Sequence, residues 1–279
     1  MVKPAARRRA VGFLQSEMGL SERRACRALG FRRSSHRYAP KRDDRASLRQ
    51  DLRRLAAARP RYGYRRLHVL LGREGIQANH KLVHRLYREE GLALRRKQRR
   101  KRVAQERVPR PKVEAPNESW SMDFVSDMLV DGRRLRVLAV VDNCTREALV
   151  LEVDFSMSGE YVARRLDRVI GERGPPARIV CDNGPEFASR ALDLWAYERG
   201  VKLAFIRPGK PVENAFVESF NGSFRDECLN QNLFLDIVDA RQKVEAWRED
   251  YNSFRPHSSL ADQTPREYAQ QFNTSFSRN

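Results

Sequence analysis

From Trp120 onward the chain switches between two apolar periods in a set order, and that order limits its fold more than any other feature. Residues 120–130, 134–141 and 148–153 read as three strands, the first two joined by a hairpin turn at Asp131-Gly132. Val162, Leu166, Val169 and Ile170 then recur at helical spacing. Residues 178–181 form a short apolar strand, 191–199 a helix stopped by Gly200, and 201–206 another strand. Helices are expected at 214–229 and 238–252. The order β-β-β-α-β-α-β-α describes an α/β chain with a mixed five-stranded sheet and helices on its faces.

The part before this sheet reads as all-α. Two segments suggest paired short helices. In residues 19–38, Ser21 can cap a helix carrying Ala25, Cys26 and Leu29, Gly30 supplies a turn, and Ser34 can start a second helix; residues 7–18 can form a supporting helix. In the second segment, Leu67, Leu70 and Leu71 precede a turn at Glu74-Gly75-Ile76. Asn79 then caps a helix bearing Leu82, Val83, Leu86 and Tyr87, which Gly91 ends. Two helices joined by a tight glycine turn are a DNA-reading arrangement. Lys81, His84, Arg85 and Arg88 lie off the apolar face, where they can reach DNA; a plain helical hairpin with a basic solvent face is the competing reading.

Charge separates the two parts. Residues 1–112 hold 34 Lys/Arg and 9 Asp/Glu, whereas residues 113–279 hold 21 and 27. A basic arm on a mildly acidic domain points to a polyanionic partner. The run RRKQRRKR includes Arg95, Arg96, Lys97, Arg99 and Arg100, a density of charge suited to phosphate, and prolines at 109, 111 and 116 make an extended linker. The expected division is a helical segment 1–58, a second helix-turn-helix segment 59–94, a basic linker 95–116, a core with C-terminal helices 117–272, and a tail 273–279. No apolar run approaches a membrane span, and the N-terminus lacks a secretory pattern. The four cysteines lack CxxC spacing and read as buried thiols in a reducing cytoplasm, not as a zinc site or disulfide framework.

Three acids stand out by position. Asp123 lies within the first strand, Asp182 directly follows the fourth, and Glu218 lies on a helix. Ligands collect at strand ends of open sheets, and carboxylates suit hard divalent cations. Two such ions can support phosphodiester exchange. Individually such acids ordinarily cap turns or face solvent. Their surroundings favour a site: Asn214 is four residues before Glu218 and Arg225 seven after, on one helical face, and each can grip DNA. Glu186 is a weaker fourth acid, read as a turn residue. Trp120 and Phe124 read as core. Tyr251, Arg255, Pro256 and His257 read as a structural anchor, with DNA contact by Arg255 or His257 as the alternative. His80 and His84 have no cysteine partners for a zinc site, and residues 207–211 lack the GxxxxGK[ST] spacing of a nucleotide phosphate loop.

The acids follow a pattern of Asp, 58 residues, Asp, 35 residues, Glu, with a basic residue seven further on. With the segments NESWSMDF, IVCDNGPEF, RPGKPVENAFVESFNGSFRDECLN and YNSFRPHSSLADQTPREYA, this pattern resembles the DDE core of retroviral integrases and related transposases, which have a ribonuclease-H-like fold. Together the segments are similar to the second-frame (OrfB) transposases of the insertion sequence three family, over about residues 60–270. The resemblance implies DNA-end cleavage and strand transfer with two Mg²⁺ or Mn²⁺ ions. It implies Asp123, Asp182 and Glu218 as catalytic and metal-holding residues, Arg225 at a position where the family has Lys or Arg, and Lys210 as a further DNA contact in the loop before the catalytic helix. The partners implied are transposon terminal repeats, target DNA, further copies of the chain, and an upstream-frame (OrfA) protein or a fusion to it. Neither a membrane nor a nucleoside triphosphate is called for, and the location expected is the bacterial cytoplasm. A non-catalytic DNA-binding protein and a ribonuclease-H-like nuclease are the rival readings.

Overall fold

A computed structural model describes residues 4–38, 45–94, 113–207 and 214–276. The chain divides into two compact units, residues 1–48 and 49–279.

In the first unit, α1 (Pro4–Ser16), α2 (Glu22–Ala28) and α3 (Arg33–Arg37) close around Val11, Ala25 and Cys26. The Ser21 side chain accepts from the Arg24 amide and caps α2. The third helix begins at Arg33, one residue before the expected Ser34, and its flanking Arg32 provides no side-chain cap. Glu22 holds it instead, accepting from Arg37 at 2.8 Å and from Arg33 at 3.4 Å.

The second unit opens with α4 (Ala46–Ala58), which lies mostly within it, then α5 (Tyr64–Arg73) and α6 (His80–Glu89). Gly75, at φ +81°, makes the α5–α6 turn, and the Asn79 side chain accepts from the Lys81 amide to cap α6. Arg49 pairs with Glu89 and Glu90, Arg53 with Glu90, and Arg54 with Glu74. The expected boundary at 58/59 therefore falls inside a three-helix group, whose first helix carries Leu52 and Leu55 inward.

The sheet contains β1 (Ser119–Met128), β2 (Arg134–Asp142), β3 (Ala148–Asp154), β4 (Arg178–Cys181) and β5 (Lys202–Phe205), in the order β3-β2-β1-β4-β5. The first three strands are antiparallel, whereas β4 runs parallel to β1 and β5 parallel to β4. Period-two alternation sends Trp120 and Met122 to one face, against α7 (Gly159–Arg173) and α8 (Arg190–Arg199). Val125 goes to the other, against α9 (Ala215–Glu227) and α10 (Ile237–Ser253). The second strand is apolar on both faces because both are covered. The first strand ends at Met128, short of the expected Val130, because the Leu129 and Gly132 amides close the turn and the Val130 amide donates to the Phe234 carbonyl.

A final helix, α11 (Pro265–Phe276), starts with Pro265 and a reciprocal cap: Glu267 accepts from the Thr264 amide at 2.7 Å, and Thr264 Oγ1 from the Glu267 amide at 3.1 Å. All four cysteines are buried and free, as their spacing suggested. Among the described residues no helix is long and apolar enough to cross a membrane.

Between α10 and α11, Arg255 and His257 are buried, in keeping with the anchor reading. His257 Nδ1 lies 2.8 Å from the Arg255 carbonyl, and Nε2 lies 3.1 Å from the Arg255 guanidinium. A neutral ring that donates from Nδ1 and accepts at Nε2 satisfies both. Burial, reinforced by Arg255, pushes the His257 pKa down to about 3. The unfolded chain takes up this proton below its ordinary value near 6.5 and the folded chain does not, so stability falls as pH drops from 6.5 toward 3. At pH 5 the loss from this one group is about 2 kcal/mol. Denaturant unfolding of His257→Asn across pH 7 to 5 should show lower stability at pH 7 but a flatter decline than wild type. Parallel declines would mean that His257 is protonated in the folded chain.

Candidate active site

Asp123 projects from β1 on the face covered by α9. Its Oδ1 accepts from the Phe124 amide at 2.8 Å, and its Oδ2 accepts from Asn221 Nδ2, also at 2.8 Å. Burial raises the Asp123 pKa to about 6, and the charges of Asp182 and Glu218 push it in the same direction. The charges of Asp182 and Glu218, far from Asp123 in sequence, therefore reach it in the fold. Asn221 was not singled out from sequence; its signal was a spacing of three from Glu218, which puts both on one side of α9.

Asp182 follows the last residue of β4. Its Oδ1 accepts from the Gly184 amide at 3.1 Å, closing a tight turn. The Asn183 side chain donates to the Ile206 carbonyl at 2.9 Å, and Phe187 is fully buried, so the loop is held at both ends. Glu218 lies in the first turn of α9 and is exposed. Glu186 pairs with Arg136 on β2, which holds its carboxyl below the ordinary range. Glu186 thus serves the loop, the role its position suggested.

The helix face of Asn214, Glu218 and Arg225 differs from expectation at its first member. Asn214 is 3% exposed and donates from Nδ2 to the Met122 carbonyl at 3.1 Å. As a buried residue tying the start of α9 to β1, it does not present its amide for a DNA contact. Arg225 is exposed and donates to the Ser126 carbonyl at 3.3 Å, so it too spans from α9 to β1, with its charge at the surface.

On α6, Lys81, His84, Arg85 and Arg88 are exposed while Val83, Leu86 and Tyr87 are buried. The His84 ring lies 4.4 Å from that of Tyr64, and Arg85 is 3.6 Å from Glu89. Arg95, Arg96, Lys97, Arg99, Arg100 and Lys210 lie outside the described residues.

Among the described residues no three His, Cys, Asp or Glu side chains are already arranged to hold a metal ion. The donor chemistry nevertheless fits a hard divalent cation. Carboxylate oxygens are the donors such an ion takes, Asp123 lies under the negative charge of Asp182 and Glu218, and the Asn221 Oδ1 is buried without a hydrogen-bond partner among the described residues. A cation would offset both the burial that mainly raises the Asp123 pKa and the neighbouring charges that add to it.

Stretches of the chain match known protein families. Residues 41–102 match an HTH-like domain, 113–211 an integrase core domain, and 199–265 a second integrase core domain model. The uncharacterized 31.7 kDa protein of insertion element IS407 from Burkholderia multivorans is 52% identical over 92% of this chain and 93% of its own length. Transposase InsD of insertion element IS2D from Escherichia coli is 29% identical over 76% of this chain and 74% of its own. The HTLV-2 integrase catalytic core domain in complex with magnesium, in its trimeric form, aligns with 55% of this chain and 97% of its own at 18% identity and a TM-score of 0.45. With an HTH-like segment preceding an integrase core, and near-complete overlap with an insertion-element protein, this chain belongs to the insertion-element transposases, as a second-frame (OrfB) protein of the insertion sequence three family.

Proposed function

We propose that the chain binds the terminal repeats of its element, cuts a DNA strand there, and joins the freed 3′-hydroxyl to target DNA. The observation that carries this reading is a half-buried Asp123, held by two hydrogen bonds, that feels the charges of Asp182 and Glu218. Asp123, Asp182 and Glu218 would hold divalent cations, Mg²⁺ or Mn²⁺, as a pair. Bound there, the ions supply positive charge for the attacking and leaving oxygens of a phosphodiester exchange. The protein's own part is positional. Asn221 fixes the Asp123 carboxylate by donating to Oδ2, the Asp182 turn keeps the second acid at the sheet end, and α9 brings the third. Arg225 offers a surface cation one helical face along from Glu218, where a DNA phosphate can be held. Neither a covalent protein intermediate nor a nucleoside triphosphate is required. Synapsis of two ends calls for more than one copy of the chain. An upstream-frame protein, separate or fused, would complete the assembly in the bacterial cytoplasm.

Asp123→Asn, Asp182→Asn and Glu218→Gln preserve size and remove a charged ligand. Each should reduce cleavage of labelled terminal-repeat DNA to background while leaving duplex affinity near wild type. Asn221→Ala should lower cleavage by roughly 10- to 100-fold, as expected when a ligand loses the group that orients it. Arg225→Ala should be milder than any of the acid substitutions. Near-normal cleavage by one of the acid variants would remove that residue from the centre.

Duplex binding should follow the exposed cations of α6. Each lost phosphate contact reduces the log–log salt slope by about 0.9. Arg85→Ala and Arg88→Ala should each show that change in titrations between 50 and 200 mM salt. Arg61→Ala should leave the slope unchanged, because Arg61 is paired with Asp226 at 2.8 Å. Equal slopes for all three variants would place the duplex elsewhere than on α6.

A further inference from the structure

On the face of β1 opposite the acids, one arginine touches both supports of the aspartate pair. Arg136, on β2, places its guanidinium 4.0 Å from the centre of the Phe124 ring. Phe124 in turn stacks on Phe187, with centroids 4.9 Å apart and planes inclined by 7°. The same guanidinium pairs with Glu186. Phe124 is the residue after Asp123, and Glu186 and Phe187 close the loop that Asp182 opens.

The loop has little freedom on its other side. A Cβ built on Gly159, at the start of α7, would fall 1.8 Å from Ser189 Oγ and 2.9 Å from the Glu186 carbonyl oxygen. The loop is therefore pressed against a bare glycine. Around Gly184, a Cβ would lie 3.1 Å from Asp182 Oδ1 and 3.5 Å from Glu186 Oε2, so two carboxylates border the same small space. Without a cation on Glu186, these two charges would repel across the turn that sets Asp182. Arg136 is about two-thirds enclosed, where its ion pair is less screened than one on an open surface.

We propose that Arg136 is a positioning residue for the aspartate pair: stacked on Phe124 and paired with Glu186, it sets the Asp182 loop against the Asp123 strand and keeps Glu186 turned away from the centre. This rests on Asp123 and Asp182 holding a divalent cation. The role differs from that of Asn221, which touches an acid directly; Arg136 touches none of the three and acts through the loop.

The test is a Mn²⁺ titration of the full chain without DNA, followed by water-proton relaxation. Melting temperature and duplex affinity are read on the same samples. Wild type should bind Mn²⁺ and Asp123→Asn should not. Arg136→Met should weaken binding by about tenfold or more, with duplex affinity unchanged. Glu186→Gln should weaken it similarly, and the double variant no further, since both remove one interaction. Arg136→Lys, which keeps the charge but loses the planar stack, should fall between and carries the test if Arg136→Met does not fold. Wild-type Mn²⁺ affinity in Arg136→Met or Arg136→Lys would overturn the proposal. Loss of all binding in Glu186→Gln would overturn it differently, making Glu186 a ligand. Normal binding by Asp123→Asn would instead sink the reading of the acids, and the role of Arg136 with it.

Discussion

The carboxylate of Glu227 holds this molecule's working parts in one frame. Arg255 donates to it through Nε at 2.7 Å and Nη2 at 2.8 Å, and Arg66 of α5 donates at 3.0 Å. Glu227 ends α9, the helix that carries Glu218; Arg255 belongs to the segment between α10 and α11; Arg66 belongs to the helix-turn-helix pair. Arg255 and Glu227 are 5% and 9% exposed at the side chain, so neither has water as an alternative partner. Such pairs add little net stability when formed, but removing one partner leaves a buried charge and costs about 3–5 kcal/mol. What the cluster secures is therefore arrangement. It permits one seating of α5 against α9 and penalises every other.

The cluster also changes how the basic half of the chain is to be read. Charge alone assigns its arginines to DNA. Many are committed within the chain: Arg59 to Asp250, Arg61 to Asp226, Arg66 to Glu227, and Arg73 to Glu267 and to the carbonyls of Phe254 and Asp262. Arg49, Arg53 and Arg54 join α4 to the next two helices in the same way. The mild acidity of the second half is the other side of these pairs. Asp226, Glu227, Asp250 and Glu267 receive arginines from the first half. Part of the asymmetry in composition is thus complementarity between two segments of one chain, and the outward cations of α6 are a smaller, more specific set.

The sheet was legible because its signals are local. Alternation, the Asp131-Gly132 turn and the unbroken apolar run of β2 each follow from neighbours in sequence, and strand β4 came out with its observed limits. The caps at Ser21 and Asn79 were equally local. The start of α11 was available in the same way, since Thr264-Pro265-Arg266-Glu267 is a capping box with proline at the first position, yet it was absorbed into a motif. The acids were found from spacing and resemblance. What periodicity could not supply was the direction of polar side chains at element ends. Asn214 has the right helical phase to stand beside Glu218, but it is the residue where the chain enters α9, and there its amide meets the Met122 carbonyl. Asn221 shares a helix side with Glu218, but its meeting with Asp123 needs α9 packed on β1, and the contact of Arg136 with Phe124 needs strands paired across the sheet, which no pattern on a single element encodes.

The three acids are held with unequal firmness, and the inequality follows from the elements. Asp123 is fixed by a central strand and two hydrogen bonds. Asp182 depends on a loop pinned by Asn183, Phe187 and the Glu186–Arg136 pair. Glu218 is set by α9 as a whole. Nine residues separate it from Glu227, about 14 Å along a helix. At the near end, the Asn214 amide ties the helix entry to β1; at the far end, Glu227 ties it to Arg66 and Arg255. A rigid helix held at two such points transmits a tilt at one end to the other. Arg66 sits on the helix immediately before the exposed cations of α6, so the seating of α5 on Glu227 and the position of Glu218 are set on one helix, α9. The reading end of the chain and its third acid are joined through a single helix, and the arginine pairs at its far end fix its pose.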